Sequence, residues 1–115
     1  MSWVRFEANM PRHPKIAGRS VHAKWAFVEV VSWCVEHGTD GSIPPDIPFR
    51  TFTEHRRPDA VQAELLDAGL LEQNGRGLVV HDFSDYQPSG SDDKRRREAA
   101  RERTRRWRMK REGDA

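Results

Sequence analysis

The chain opens on "SWVRF" (Ser2 to Phe6), where apolar and polar residues alternate with the period of a short strand. The prolines of "MPRHPKI" stop that strand and can start a helix at Pro14, which Gly18 would end after one or two turns. Ser20 is then a fitting N-cap for "VHAKWAFVEVVSWCVEH". In this stretch His22, Glu29, Ser32 and Glu36 fall on one narrow helical face, and nearly everything else is apolar. So thin a polar stripe predicts a central helix enclosed by other elements, with Trp25, Phe27 and Trp33 in the core. Valines at 28, 30, 31 and 35 would also suit a strand, but the length and the one-sided polar face favour helix.

Gly38 stops this helix, and "TDGSI" reads as a turn followed by a short extended piece at Ser42 and Ile43. "PPDIPFRTF" suits a short helix begun at Pro45 and limited to about two turns by Pro48. "PDAVQAELLDAG" is a second clear helix, with Pro58 at its first position, Asp59 in its first turn and Gly69 as its stop. Val61, Leu65 and Leu66 form its apolar face. Two apolar runs then flank Asn74-Gly75-Arg76-Gly77, where Asn-Gly supplies positive φ cheaply and signals a hairpin. "SDYQPSGSDD" is polar, contains Pro88 and Gly90, and reads as a linker.

Helix, short strand, helix, helix, hairpin is the order of a winged helix-turn-helix, an α+β fold. The hairpin is its wing, Ser42-Ile43 is the third strand beside the wing, and Asp59 to Ala68 takes the recognition position. The expected division is a winged-helix domain over 1–86, a linker over 87–93 and a basic, helical Arg-rich tail over 94–115.

Charge changes this picture. The chain carries 20 basic and 18 acidic side chains, a net +2. From Lys94 to Arg111 there are eleven basic residues against two acidic ones, or +9. Residues 1–93 hold nine basic and fourteen acidic residues, or −5, and the last four residues add −2. An argument from positive field to nucleic acid therefore belongs to the tail: Lys94, Arg95, Arg96, Arg97, Arg101, Arg103, Arg105, Arg106, Arg108, Lys110 and Arg111. Nine net charges on one helix repel each other unless a polyanion, or the acidic body itself, lies near. Ser91 is a candidate N-cap, with Asp92 and Asp93 in the first turn. Glu102 can pair with Arg105 and Arg106, and Trp107 can stack on an unpaired base or dock back on the body. The expected helix has about 20 residues and a length of roughly 30 Å. If it neutralises about six phosphates, log K should fall with log salt at a slope near −5.

The recognition-position helix fits a groove poorly, because Asp59, Glu64 and Asp67 lie on it and no basic residue follows Arg57. Gln62 is its one good base reader. A DNA-facing surface here needs Thr51, Thr53, His55, Arg56, Arg57 and Gln62 together, with the acidic residues turned aside. Arg76 at the wing tip can reach backbone or minor groove.

Other chemistry is thinly represented. Cys34 is the single cysteine, so no internal disulfide forms, and the histidines lack the paired spacing of a metal site. There is no nucleophile turn and no Gly-rich phosphate loop, so neither an enzyme nor a cofactor is expected. No signal peptide or membrane span is evident, and the expectation is a cytoplasmic protein of a bacterial host.

Beyond these patterns, "HPKI", the tryptophan-rich helix ending in Cys34, "TDGSIP", "LLDAGLLE" and "VVHDFSDYQPS" followed by an Arg-rich segment resemble a family of small actinobacterial phage and prophage proteins. That family is similar to the winged-helix domains of replication initiators and replisome organisers of the DnaD type. The resemblance covers roughly Trp3 to Pro88 and rests on structural motifs. It implies DNA binding near replication initiation or phage gene control, and it carries over no catalytic residue. Two functions stay open. One is a DNA-binding accessory protein, with RNA as a variant. The other is a protein-interaction module whose acidic body docks a host or phage replication or transcription factor. A dimer is permitted by an exposed wing and a long helix.

Overall fold

The computed structural model describes residues 2–86 and 101–110. The longest element, α2 (Val21–His37), begins at Ser20, whose hydroxyl accepts the Ala23 N–H at 3.1 Å. It ends at Gly38, which sits at φ 63° and turns its N–H back to the Cys34 and Val35 carbonyls. A residue without a Cβ takes this left-handed cap at no steric cost. One turn earlier, α1 (Pro14–Ala17) is capped by the His13 ring, which accepts the Lys15 N–H.

Ala23, Ala26, Val30 and Cys34 line the buried side of α2 and are fully inaccessible to solvent. They recur at helical spacing and meet Val61 and Leu65 of α3 (Pro58–Asp67) in one core with Phe49, Phe52 and Leu71. Burial of each large aliphatic or aromatic side chain here contributes about 1.5–3 kcal/mol. Phe52 receives Trp33 and Phe49 edge-on at 5.9 and 5.5 Å. Burial pushes the Cys34 thiol above its ordinary range, so it packs as a neutral group.

The sheet is antiparallel, in the order β1 (Ser42–Ile43), β3 (Gly77–Val80), β2 (Leu71–Asn74). Ser42 pairs with Val79 and Ile43 with Leu78, while Leu71 pairs with Val80 across the hairpin. This is the third-strand pairing expected from the sequence. α4 (Phe83–Tyr86) follows directly, entered through Asp82 at φ 54°. At the foot of the hairpin His81 is held between Glu72, on Nδ1, and Asp82, on Nε2 at 3.0 Å. The chain is thus α+β, with helices against a small antiparallel sheet, an arrangement compatible with a winged-helix-like fold.

Four expectations are corrected. Ser2 to Phe6 forms no strand: Val4 packs on the core, while Trp3 and Phe6 stay exposed. Residues Arg5 to Glu7 instead border a cleft of about 180 Å³ floored by Ile16, Phe27 and Val80. The helix expected from Pro45 is a single 3₁₀ turn, Phe49–Thr51, because it begins only after Pro48. The hairpin lies where Asn-Gly placed it, yet neither Asn74 nor Gly75 takes positive φ. That role falls to Gly77, at φ 118°, where a Cβ would lie 2.2 Å from the Ile43 carbonyl oxygen. The Asn74 side chain accepts the Arg76 N–H at 2.8 Å instead.

The fourth correction concerns α2, which is not enclosed. Phe27 and Trp33 are half-buried against the core, but Trp25 is 60% exposed and Val21 78% exposed. Trp25 lies three residues after His22 and four before Glu29, so it shares the outward face of the polar residues. Counting hydrophobic residues hid this, whereas their helical phase reveals it.

Candidate nucleic-acid interface

The most cationic described element is α5, the helical residues 101–110. Arg, Glu and Met are good helix formers, and nothing in this run breaks a helix. Glu102 meets Arg105 at 2.9 Å and Arg106 at 3.4 Å, the (i, i+3) and (i, i+4) pairs expected from the spacing. Such pairs add a few tenths of a kcal/mol each to an exposed helix. They also use the single carboxylate of the segment. Arg101, Arg103, Arg108 and Lys110 have no ion-pair partner among the described residues.

Every residue of α5 except Glu102 is exposed, including Trp107 at 60% and Met109 at 63%. The cations at 101, 103, 105, 106, 108 and 110 fall on two sides of the helix, with Thr104 and Trp107 on the arc left between them. A helix resting on a flat anionic surface needs charge on one side only. A helix with cations on two sides can meet negative charge on both. Lys94, Arg95, Arg96, Arg97 and Arg111, together with the expected cap at Ser91 and the linker 87–93, lie outside the described residues.

A second group of candidates surrounds the entry to α3. The Thr53 hydroxyl accepts the His55 N–H at 3.2 Å, and His55 Nδ1 accepts the Arg57 N–H at 3.0 Å. The His55 ring meets His22 edge-on at 4.6 Å, which ties this loop to the first turn of α2. Arg56 and Arg57 are exposed there, and Gln62 is half-buried one turn into the helix. Arg57 lies 3.7 Å from Asp59, so part of its charge is answered locally.

One of the three acidic residues of α3, Glu64, faces its junction with α2. Glu64 accepts the Ser20 N–H through one oxygen and the Ser20 hydroxyl proton through the other, both at 2.7 Å. These hydrogen bonds, the backbone one foremost, hold the Glu64 carboxyl below its usual range. Asp67 reaches Arg19 at 3.7 Å. What α3 shows to solvent is Asp59, Ala60, Ala63 and Asp67, a face with no cation. Arg76 is exposed at the hairpin tip, on a different element from Arg56 and Arg57. Sequence reasoning identified Ser20 as a cap but missed Glu64 as its partner, because nothing local links positions 44 residues apart.

Among the described residues no group of three or more His, Cys, Asp or Glu is arranged to hold a metal ion, and no helix is long and apolar enough to cross a membrane. No family model, curated protein or solved structure matches this chain.

Proposed function

We propose that the chain is a non-catalytic nucleic-acid-binding accessory protein of phage type, acting in replication initiation or gene control. Its basic helix supplies phosphate affinity, and a winged-helix body supplies the choice of site or partner. The observation that carries this reading is α5, an exposed helix with six cations against one carboxylate. Phosphate contacts of this kind position a protein on nucleic acid and carry affinity, whereas base contacts carry sequence choice. The loop that presents Arg56 and Arg57 supports a secondary contact, since its backbone is held by side-chain hydrogen bonds before any partner binds. With Glu64 engaged at the α2 junction, the acidic objection to α3 rests on Asp59 and Asp67 alone.

Fluorescence anisotropy with a mixed-sequence duplex, at several salt concentrations, tests the proposal. Full-length protein is compared with a version ending at Gly90. Steep salt dependence that vanishes with the tail is the expected result. Absence of salt-sensitive binding at micromolar protein rejects the reading.

One observation favours a second reading, a protein-interaction module. Trp25 stands exposed on α2, and large aromatic side chains are the commonest anchors of protein interfaces. On that reading the body alone binds no nucleic acid and is recovered with a specific replication or transcription protein. Tight duplex binding by the body alone would exclude it.

A further inference from the structure

The outward side of α2 carries a second pattern. Val21, Trp25, Val28 and Ser32 recur at intervals of four and three, the spacing of a helix-pairing seam. Val21 and Trp25 are exposed, Val28 and Ser32 are half-buried, and Val35, the next position in the series, turns in to pack on the core. Glu29 and Glu36 run along one flank, a heptad apart, and neither has a partner among the described residues. Flanking charges of this kind choose the partner helix by its charge.

From this we infer that the outer face of α2 is the docking site for the chain's own basic helix, α5. Charge is the first argument. Residues 2–86 carry nine basic and twelve acidic side chains, or −3, whereas 101–110 carries six basic and one acidic, or +5. Register is the second. Trp107 is bracketed by Arg101 and Arg108 on one flank and by Arg103 and Lys110 on the other, each pair a heptad apart like Glu29 and Glu36. Size is the third. Ten helical residues reach about 15 Å, close to the distance from Trp25 to Glu36, and the docked helix then stops short of Lys24. Reach does not forbid it, because fifteen peptide steps from Tyr86 to Arg101 can span up to about 50 Å.

The docked helix competes with nucleic acid, since whichever pair faces Glu29 and Glu36, Arg101 with Arg108 or Arg103 with Lys110, cannot face a phosphate backbone at the same time. The seam is thus a resting place that a polyanion empties. The inference does not require that the polyanion be DNA.

A photo-reactive residue in the seam, Ser32→p-benzoylphenylalanine, tests it in the full-length chain, with circular dichroism as the check on folding. The expected product, read by mass spectrometry, is an intramolecular cross-link into 101–110. It should be lost on adding a duplex and lost again in the Glu29→Gln, Glu36→Gln variant. A cross-link between chains would assign the face to a second copy and overturn the inference, as would a cross-link elsewhere or none. A cross-link that persists in protein unable to bind duplex leaves the inference standing and removes the proposed function instead.

Discussion

Ser20 and Glu64 show how much one pair of residues can decide. The Ser20 hydroxyl accepts a helix N–H and donates to Glu64, while its own backbone N–H donates to the other carboxylate oxygen. Ser20→Ala removes the cap and leaves Glu64 one donor short. It should cost about 1 kcal/mol or somewhat more in urea unfolding. Glu64 also gives stability a pH dependence. Its folded carboxyl lies below the usual carboxylate range, so its contribution is present above that range and is lost as pH falls through the lower, folded value. Urea midpoints at pH 6 and pH 3.5 should therefore differ more for the wild type than for Glu64→Gln. Trp25 makes the opposite case. Trp25→Ser should move the midpoint by less than about 0.5 kcal/mol, because an exposed ring gives up little buried area.

Among the elements, the hairpin and α2 were the most legible in the sequence. Caps and stops are local chemistry, so Ser20, Gly38, Pro58 and the Asn74–Gly77 turn could each be read without a tertiary contact. What escaped was decided by neighbours. Where a strand is expected at Ser2 to Phe6, Val4 packs on the core and Arg5 and Phe6 border the cleft, and the positive φ at Gly77 is set by a carbonyl arriving from β1. Gly77→Ala tests that contact. It meets both a left-handed backbone and the Ile43 oxygen, and it should destabilise by more than about 1 kcal/mol and weaken the pairing of β1 with β3. Amide exchange at Leu78 and Val79 would report the loosening. The cationic run of the candidate interface was plain from composition alone. Its exposed, ion-paired helix over 101–110 follows from spacing that any sequence reader can check.

At the scale of the whole molecule the charges are segregated, with an acidic body and a basic helix on one chain. If the six cations of α5 contact phosphates, the logarithmic salt slope for duplex binding should be about −5. The Arg101→Gln, Arg108→Gln variant should then be shallower by about 2 units. Anisotropy across a salt series measures both. An unchanged slope would move the contact to residues other than these two. An unchanged fold, seen as an unchanged melting temperature, is expected, because both side chains are exposed and neither has a partner among the described residues.

The link between the start of α2 and the middle of α3 also has an evolutionary consequence. Ser20 and Glu64 are coupled: losing the hydroxyl leaves Glu64 the backbone N–H alone, and losing the carboxylate hands both Ser20 donors to water. Descendant sequences should therefore change these two positions together more often than positions that share no such bond. The outward face of α3, whose Ala60 and Ala63 side chains have no such obligation, is left free to diversify with whatever partner each lineage meets.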